Sequence, residues 1–195
     1  MFPRRRVLRS TMPFLALSAA IVSTGCGNPV TASHTLGTVE NAVRMEVTSS
    51  AFRSGEEIPP TYTCDGGKLS PPLGWSGTPP NTQSIAMIVT DPDAPQGTYV
   101  HWVLANLSSD TTALSPGVPA APQGPVGSTQ GTNSSGKVGY TPPCPPSGTH
   151  HYQFTVYAVD KELKLDSSAT RDILLKAMAG HIIGRGQLVG LVTAY

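Results

Sequence analysis

The chain has 195 residues, with 13 basic and 12 acidic side chains and a formal net charge of +1 at pH 7. Charged residues make up only 13% of it and form no basic stripe, so we expect no nucleic-acid partner. The 20 glycines and 19 prolines predict many turns between short elements. This length fits one domain with a sizeable core.

The first residues have the form of an export signal. Four arginines at positions 4–6 and 9 precede an apolar run, Met12–Val22, which is too short to span a bilayer stably. We interpret residues 1–25 as a signal peptide, whose removal lowers the basic count from 13 to 9 against 12 acidic residues, a net charge of −3. The basic segment also matches a twin-arginine motif, so both export routes stay open.

Ser23–Cys26 resembles a bacterial lipobox, in which the cysteine is lipidated and becomes the new N-terminus. Gly25 fits this pattern, whereas Ser23 stands where an aliphatic residue is usual. We expect a lipoprotein, bearing palmitate at Cys26 and anchored to the cell membrane outside the cytoplasm, with simple secretion as the alternative. Residues 26–42 lack hydrophobic periodicity and predict a flexible tether to a domain at 43–195.

Five segments of this domain have the composition of β-strands. Arg44–Thr48 alternates between polar and apolar residues, as in a half-buried strand. Ser84–Thr90 is a continuous apolar run, which is typical of a strand buried on both faces. Val100–Leu107, Tyr152–Val159 and Gln187–Val192 are rich in β-branched and aromatic or aliphatic residues and predict three more strands.

A helix is predicted from about Ser168 to Ile183. Ser167, Ser168 and Thr170 offer N-cap oxygens. Apolar residues recur on one helical face at Ile173, Leu174, Ala177, Met178 and Ile182. Short strands with one helix near the end indicate a mainly β, sandwich-like domain with peripheral helices. The stretch 108–149 has no convincing periodicity, and a loop of this length is usually functional or mobile.

Two proline-stiffened turns place polar and aromatic residues at the ends of apolar strands. The first is Asp91–Pro95, followed by His101 and Trp102, and the second is Gly139–Pro146, followed by His150–Tyr152. Because proline fixes φ, such turns can hold a pocket for a small anion in place before the ligand arrives.

Three further segments join these turns in a resemblance to a known family: Cys64–Gly66, Ser70–Leu73 with Trp75, and Gly180–Gly190. From about residue 43 to the end, the chain resembles the phosphatidylethanolamine-binding protein family in its bacterial, Raf kinase inhibitor-like form. The resemblance implies two antiparallel β-sheets with peripheral helices near the C-terminus and a pocket at one end. It also implies a small anionic ligand, such as phosphate, phosphoethanolamine or a phospholipid head group.

The resemblance implies pocket roles for six residues: Asp91, Pro95, His101, Gly139, His150 and Tyr152. Asp91 is expected in the pocket while Asp93 makes an Asx turn, although Asp-Pro turn chemistry could also explain Asp91. We expect His101 to donate to the anion while a carboxylate orients its other ring nitrogen, with a satisfied core histidine as the alternative. Pro95 and Gly139 are expected to shape the wall. His151 stands where the family commonly has arginine, which puts that arginine's ion pair in doubt.

If Cys26 carries a lipid, Cys64 and Cys144 remain as an even pair in an exported protein. The resemblance brings both to the rim of the pocket, and we predict a disulfide that pins the proline-rich turn over the site. Two buried free thiols, packing as small hydrophobes, are the alternative.

The sequence contains no H-E-x-x-H, paired C-x-x-C or G-x-S-x-G pattern. We therefore expect no metal, no cofactor and no enzyme activity, with a hydrolase as the lesser alternative. A binding protein for small anions is the leading hypothesis. Inhibition of an envelope protease is the second, because the family includes protease inhibitors, and an exported chain does not favour control of a cytoplasmic kinase.

Overall fold

The fold is described from a computed structural model that covers residues 42–194. In chain order its strands are β1 Val43–Arg44, β2 Glu46–Thr48, β3 Leu73–Ser76, β4 Ser84–Asp91, β5 Tyr99–Ser108, β6 Ala113–Leu114, β7 Thr129–Gln130, β8 Thr149–Val159 and β9 Ile182–Thr193. Helix α1 is Arg171–Met178, and 3-10 turns occur at Pro60–Tyr62 and Pro125–Gly127. The predicted signal peptide at 1–25, the lipidation site at Cys26 and the tether up to residue 41 lie outside the described residues.

The strands form two sheets, as predicted for a mainly β domain. The larger sheet has the order β1-β9-β8-β4-β5-β7 and is antiparallel except for the β1–β9 pair, while the smaller sheet has the order β2-β3-β6. The predicted strand at 44–48 is divided between them, with β1 in the larger sheet and β2 in the smaller one. Met45, between the two, is only 2% exposed and packs in the core that the sheets enclose.

Strand β4 is buried along its whole length, which explains its continuous apolar sequence. On one face Met87 and Val89 pack in the core between the two sheets, which also contains Trp75. On the other face Ala86 and Ile88 belong to a second cluster, which includes residues of α1. Burial of each such side chain contributes roughly 2 kcal/mol. Because its side chains belong to both clusters, β4 lies at the centre of the fold.

The predicted helix at 168–183 is real but much shorter, because α1 spans eight residues only. It begins after Thr170, whose hydroxyl accepts the Ile173 N–H as an N-cap. It ends where Gly180 adopts a φ of +78°, a left-handed conformation that glycine enters without strain. Ile182 then starts β9 instead of extending the helix. Within residues 42–194 no helix is long and apolar enough to cross a membrane.

The stretch between β5 and β8 is irregular apart from the short strands β6 and β7, and two buried side-chain amides help to hold it. Gln130 accepts the Trp102 indole N–H at 2.7 Å and donates to two carbonyls of the preceding loop. Asn133 donates to the Gly139 carbonyl and to the Thr141 hydroxyl, both at 2.9 Å. These bonds position the segment that forms one wall of the cavity described next.

Candidate functional site

A cavity of about 240 Å³ opens at the end of the larger sheet where β4 ends and β5 and β8 begin. Five of the six predicted pocket residues line it: Asp91, Pro95, His101, His150 and Tyr152. Cys144, which was expected at the rim, lines it as well, together with five residues that were not predicted there: Ala94, Tyr99, Thr141, Pro142 and Pro146. Tyr99 could have been found from the sequence, because it stands two residues before His101 and directly before an expected strand.

A β-bulge brings His101 to the cavity. Val89 pairs with Trp102 and the next residue, Thr90, pairs with Val100, so His101 is the additional residue of β5. The His101 ring consequently lies beside Tyr152, which belongs to the same core as Trp102, although neighbouring residues of a regular strand point to opposite faces. Bulges are common next to functional sites because they redirect a side chain in this way.

Asp91 ends β4, and each of its carboxylate oxygens faces a donor. Oδ1 accepts the Asp93 backbone N–H at 2.8 Å, which is an Asx turn, and Oδ2 lies 2.7 Å from His150 Nδ1. The Asx turn that we predicted for Asp93 therefore belongs to Asp91, which also has contact with the cavity. Because the Asp91 and His150 side chains are only 5% and 8% exposed, they form a buried pair that orients the imidazole.

Asp93 instead pairs with His151. Its Oδ2 accepts the His151 backbone N–H and lies 2.8 Å from His151 Nδ1. These hydrogen bonds, of which the backbone one is the stronger influence, lower the pKa of the Asp93 carboxyl. Position 151, where the family commonly has arginine, thus carries a histidine that contacts Asp93 in a pair about half exposed.

His101 is oriented by a backbone carbonyl and not by the carboxylate that we predicted. Its Nδ1 lies 2.8 Å from the Thr141 carbonyl oxygen, and Thr141 donates its own N–H to the His101 carbonyl at 2.8 Å. Burial lowers the pKa of His101, and the Thr141 carbonyl and Asp91 oppose this effect only in part. At neutral pH the ring is therefore uncharged.

Tyr152 contributes a buried hydroxyl that lies near the Asp91 carboxylate and the Cys144 backbone N–H but makes no hydrogen bond of normal length and angle with any described residue. The side chain is 0% exposed, and its ring packs edge-on against His101 with the centroids 5.1 Å apart. Burial, together with the nearby negative charge of Asp91, raises the pKa of Tyr152 well above its usual value. The phenol accordingly keeps its proton and can act as a donor.

Gly139 is the predicted pocket residue that the structure does not bring to the cavity. Its φ is +95°, and a Cβ at this position would lie 2.9 Å from Ala120, so only glycine fits. Its carbonyl accepts from Asn133. Gly139 therefore supports the wall from behind, while Pro95 lies at the cavity itself.

The predicted disulfide between Cys64 and Cys144 is present, with the two Cα atoms 5.4 Å apart. Beside it the Cys64 N–H donates to the Pro143 carbonyl at 2.9 Å. The bond fastens the segment that follows the first 3-10 turn to the proline-rich wall of the cavity. Gly66, two residues on, passes so close to the Pro60 carbonyl that a side chain would collide with it.

The cavity has few charges. Among the described residues that line it, Asp91 is the only carboxylate, and none is lysine or arginine. Within residues 42–194 no cluster of three or more His, Cys, Asp or Glu side chains could hold a metal ion. Hydrogen-bond donors and acceptors on imidazole and phenol rings are therefore the groups available for recognition.

Comparisons with known proteins identify the family of this chain. The family model for phosphatidylethanolamine-binding protein matches residues 48–193. A UPF0098 protein of Methanothermobacter thermautotrophicus is 47% identical over 147 residues, covering 75% of this chain and 97% of that protein. The solved structure of a phosphatidylethanolamine-binding protein homologue from Chlamydia trachomatis matches with a TM-score of 0.72 and 39% identity, covering 80% of this chain and 99% of that one. Escherichia coli YbcL, described as a member of the mammalian family, matches with a TM-score of 0.72 and 31% identity over 77% of this chain and 99% of its own. The chain belongs to the phosphatidylethanolamine-binding protein family.

Proposed function

We propose that this protein binds small oxyanions of the phosphate and phosphoethanolamine type in the cavity at the ends of β4, β5 and β8. The observation that carries the proposal is the Tyr152 hydroxyl, which is buried at the cavity and has no partner among the described residues. An unpaired buried hydroxyl costs free energy, so its place in a cavity wall supports a ligand that accepts its hydrogen bond.

The hydroxyl of Tyr152 and the protonated ring of His150 are donors that favour an anion as the ligand. Tyr152 keeps its proton because its pKa is raised by burial. His150 has Nδ1 committed to Asp91, so its Nε2 becomes a second donor whenever the ring is protonated. A cavity of about 240 Å³ suits a head group better than a whole lipid, and its proline-rich rim reduces the cost of ordering the site.

We further propose that the protein is a binding protein and not an enzyme. Cys144, the thiol residue at the cavity, is held in the disulfide and is not free to act as a nucleophile. The Thr141 hydroxyl oxygen accepts a hydrogen bond from the Asn133 side-chain amide. We therefore infer that the Asp91–His150 pair orients a ligand-binding imidazole, since the described residues that line the cavity include no serine and no free thiol for it to activate.

The proposed place of action is outside the cytoplasm, at the membrane. The supporting observations are the signal-like residues 1–25, the lipobox-like Ser23–Cys26 and a disulfide, which is typical of oxidising compartments. We expect the full chain to incorporate labelled palmitate and to fractionate with membranes, and a Cys26→Ser variant to do neither. Recovery of unlabelled protein in the soluble exported fraction would favour simple secretion instead.

Calorimetric titration of the protein with phosphoethanolamine tests the binding function. We expect weak binding, reduced about tenfold by Tyr152→Phe because one hydrogen bond to an anion is lost. His101→Ala should also weaken it. Tyr157→Phe, on the opposite face of the same strand, and His181→Ala, at the α1–β9 turn, are the matched controls and should bind normally. Unchanged binding in both Tyr152→Phe and His101→Ala would contradict the site.

A further inference from the structure

We propose that the cavity selects oxyanions that carry a proton, above all singly protonated phosphate monoesters, over sulfate monoesters and phosphodiesters. This inference rests on the phosphate-binding function proposed above. The selecting residue is His101, because it presents a hydrogen-bond acceptor to the cavity and not a donor.

The hydrogen bonding of His101 determines which ring nitrogen carries its proton. A carbonyl oxygen only accepts, so the 2.8 Å contact with Thr141 places the proton on His101 Nδ1. A neutral imidazole has a single N–H, so Nε2 is left with a lone pair. The reciprocal bond from the Thr141 N–H to the His101 carbonyl holds the two backbone segments in register, so the Thr141 carbonyl stays opposite the ring.

The surroundings of His101 keep this ring neutral. It is 4% exposed, and burial lowers its pKa. The titratable groups around it are Tyr99 of its own strand, Asp91 at the end of β4, and His150 and Tyr152 of β8. Asp91 favours the charged ring, but its Oδ2 is bonded to His150, and a charge on His150 opposes a second charge on His101. Beyond them Asp93 and His151 form their own pair, which is about half exposed. Tyr140, in the loop that precedes β8, stays neutral because burial raises its pKa.

The cavity consequently offers donors from one strand and an acceptor from another. Tyr152 and, when protonated, His150 donate from β8, while His101 accepts from β5. A phosphate monoester loses its second proton at about pH 6, so its monoanion retains one P–OH group beside two bare oxygens. The P–OH donates to His101 Nε2, one bare oxygen accepts from Tyr152, and the second accepts from His150 when that ring is protonated.

Sulfate monoesters and phosphodiesters have the same single charge but no O–H group. One of their oxygens would face the lone pair of His101 Nε2, or a proton would have to be placed on a buried ring whose surroundings disfavour it. Sites built around a specific hydrogen bond reject analogues that cannot make it, because a buried polar group is then left unpaired.

Methyl phosphate and methyl sulfate provide a matched test, since they share size, shape and charge when methyl phosphate is singly protonated. We expect methyl phosphate, compared as its singly protonated form, to bind at least about tenfold more tightly than methyl sulfate at about pH 6.5, where the lowered pKa of His101 leaves the ring mainly neutral, and dimethyl phosphate to behave like methyl sulfate. Equal affinities for all three ligands would overturn this selectivity and leave the anion-binding function intact. Failure of every ligand to bind would instead refute the binding function itself.

Two further measurements locate the selectivity at His101. The ring ¹⁵N shifts of the free protein should show Nδ1 protonated and Nε2 bare at about pH 7, and a proton on Nε2 would overturn the proposal regardless of affinity. In His101→Gln, whose amide can donate as well as accept, we expect the preference for methyl phosphate to fall severalfold. Tyr152→Phe should weaken both ligands alike and preserve their ratio.

Discussion

The two walls of the cavity are built in opposite ways. One, the strand wall, consists of the ends of β4, β5 and β8, which are joined by hydrogen-bonded ladders within a buried sheet; the β4–β8 ladder is unbroken and the β4–β5 ladder contains the His101 bulge. The other, the loop wall, is the irregular run 139–146. It is held by three separate contacts: the disulfide, the hydrogen bond from the Cys64 N–H to the Pro143 carbonyl, and the hydrogen bond from the Asn133 amide to the Gly139 carbonyl. The strands supply the titratable side chains, while the loop supplies shape and the carbonyl that fixes the His101 proton. The chemistry of one wall therefore depends on the placement of the other.

Removing the disulfide should have the largest effect, because it is the main covalent support of the loop wall. We expect Cys64→Ala with Cys144→Ala to lower the free energy of unfolding by about 4–5 kcal/mol, from the loop-closure entropy of an 80-residue separation. Guanidinium unfolding in a Cys26→Ser background removes any contribution of the lipid. Phosphate affinity should fall as well, and unchanged stability and affinity would show that the loop wall does not need the bond.

The strand wall is tested by a pair of nearby aspartates. Asp91→Asn removes the charge from a buried pair and should cost about 3 kcal/mol of stability, because His150 loses its carboxylate partner. Asp93→Asn makes the same chemical change in a pair that is about half exposed, and should cost less than about 1 kcal/mol. Urea unfolding of the two variants measures the contrast, and similar losses for both would mean that burial of the Asp91 pair is not what stabilises this wall.

The strand wall could be predicted from the sequence to a greater extent than the loop wall. The apolar run in β4 and the aromatic, β-branched pattern in β8 reflect burial, which leaves a direct trace in residue type. The length of α1 could not be predicted in this way, since Ile182 continues the helical spacing although Gly180 has already turned the chain. The division of 44–48 between two sheets is equally invisible, because both halves alternate in the same manner.

The same contrast applies to the site. Family resemblance singled out Asp91, His101, His150 and Tyr152, and the structure places all four around one cavity. It could not reveal that a backbone carbonyl of Thr141 orients His101, because every residue type carries such a carbonyl. Nor could it assign the Asx turn to Asp91, since Asp91 and Asp93 stand in the same turn and only their geometry distinguishes them.

The link between the walls should appear as a pH dependence of stability. The pKa of His101 is lowered in the folded protein, so below its ordinary value of about 6.5 the unfolded chain binds more protons than the folded one. The contribution of the neutral ring is fully present above about pH 6.5 and is lost as pH falls through the folded pKa, at up to about 1.4 kcal/mol per pH unit. His101→Gln should remove this slope. Parallel stability curves for the two proteins from neutral to acid pH would contradict the neutral, buried ring.

Two tyrosines, one from each wall, provide the smallest and most specific contrast. Tyr152 on β8 has a buried hydroxyl without a partner, whereas Tyr140 in the loop donates its hydroxyl to the Tyr62 carbonyl at 3.1 Å. Tyr152→Phe should therefore raise the stability of the free protein by about 1 kcal/mol, because it removes an unsatisfied polar group. Tyr140→Phe should lower stability by about 1 kcal/mol, because it leaves a part-buried carbonyl unpaired.

Only Tyr152→Phe should also weaken phosphate binding, since the Tyr152 hydroxyl donates to the ligand in our proposal. Other proteins likewise retain functional groups at some cost in stability. Unfolding and calorimetry on the same two variants decide the matter, and a destabilised Tyr152→Phe would show that its hydroxyl serves the fold and not the ligand.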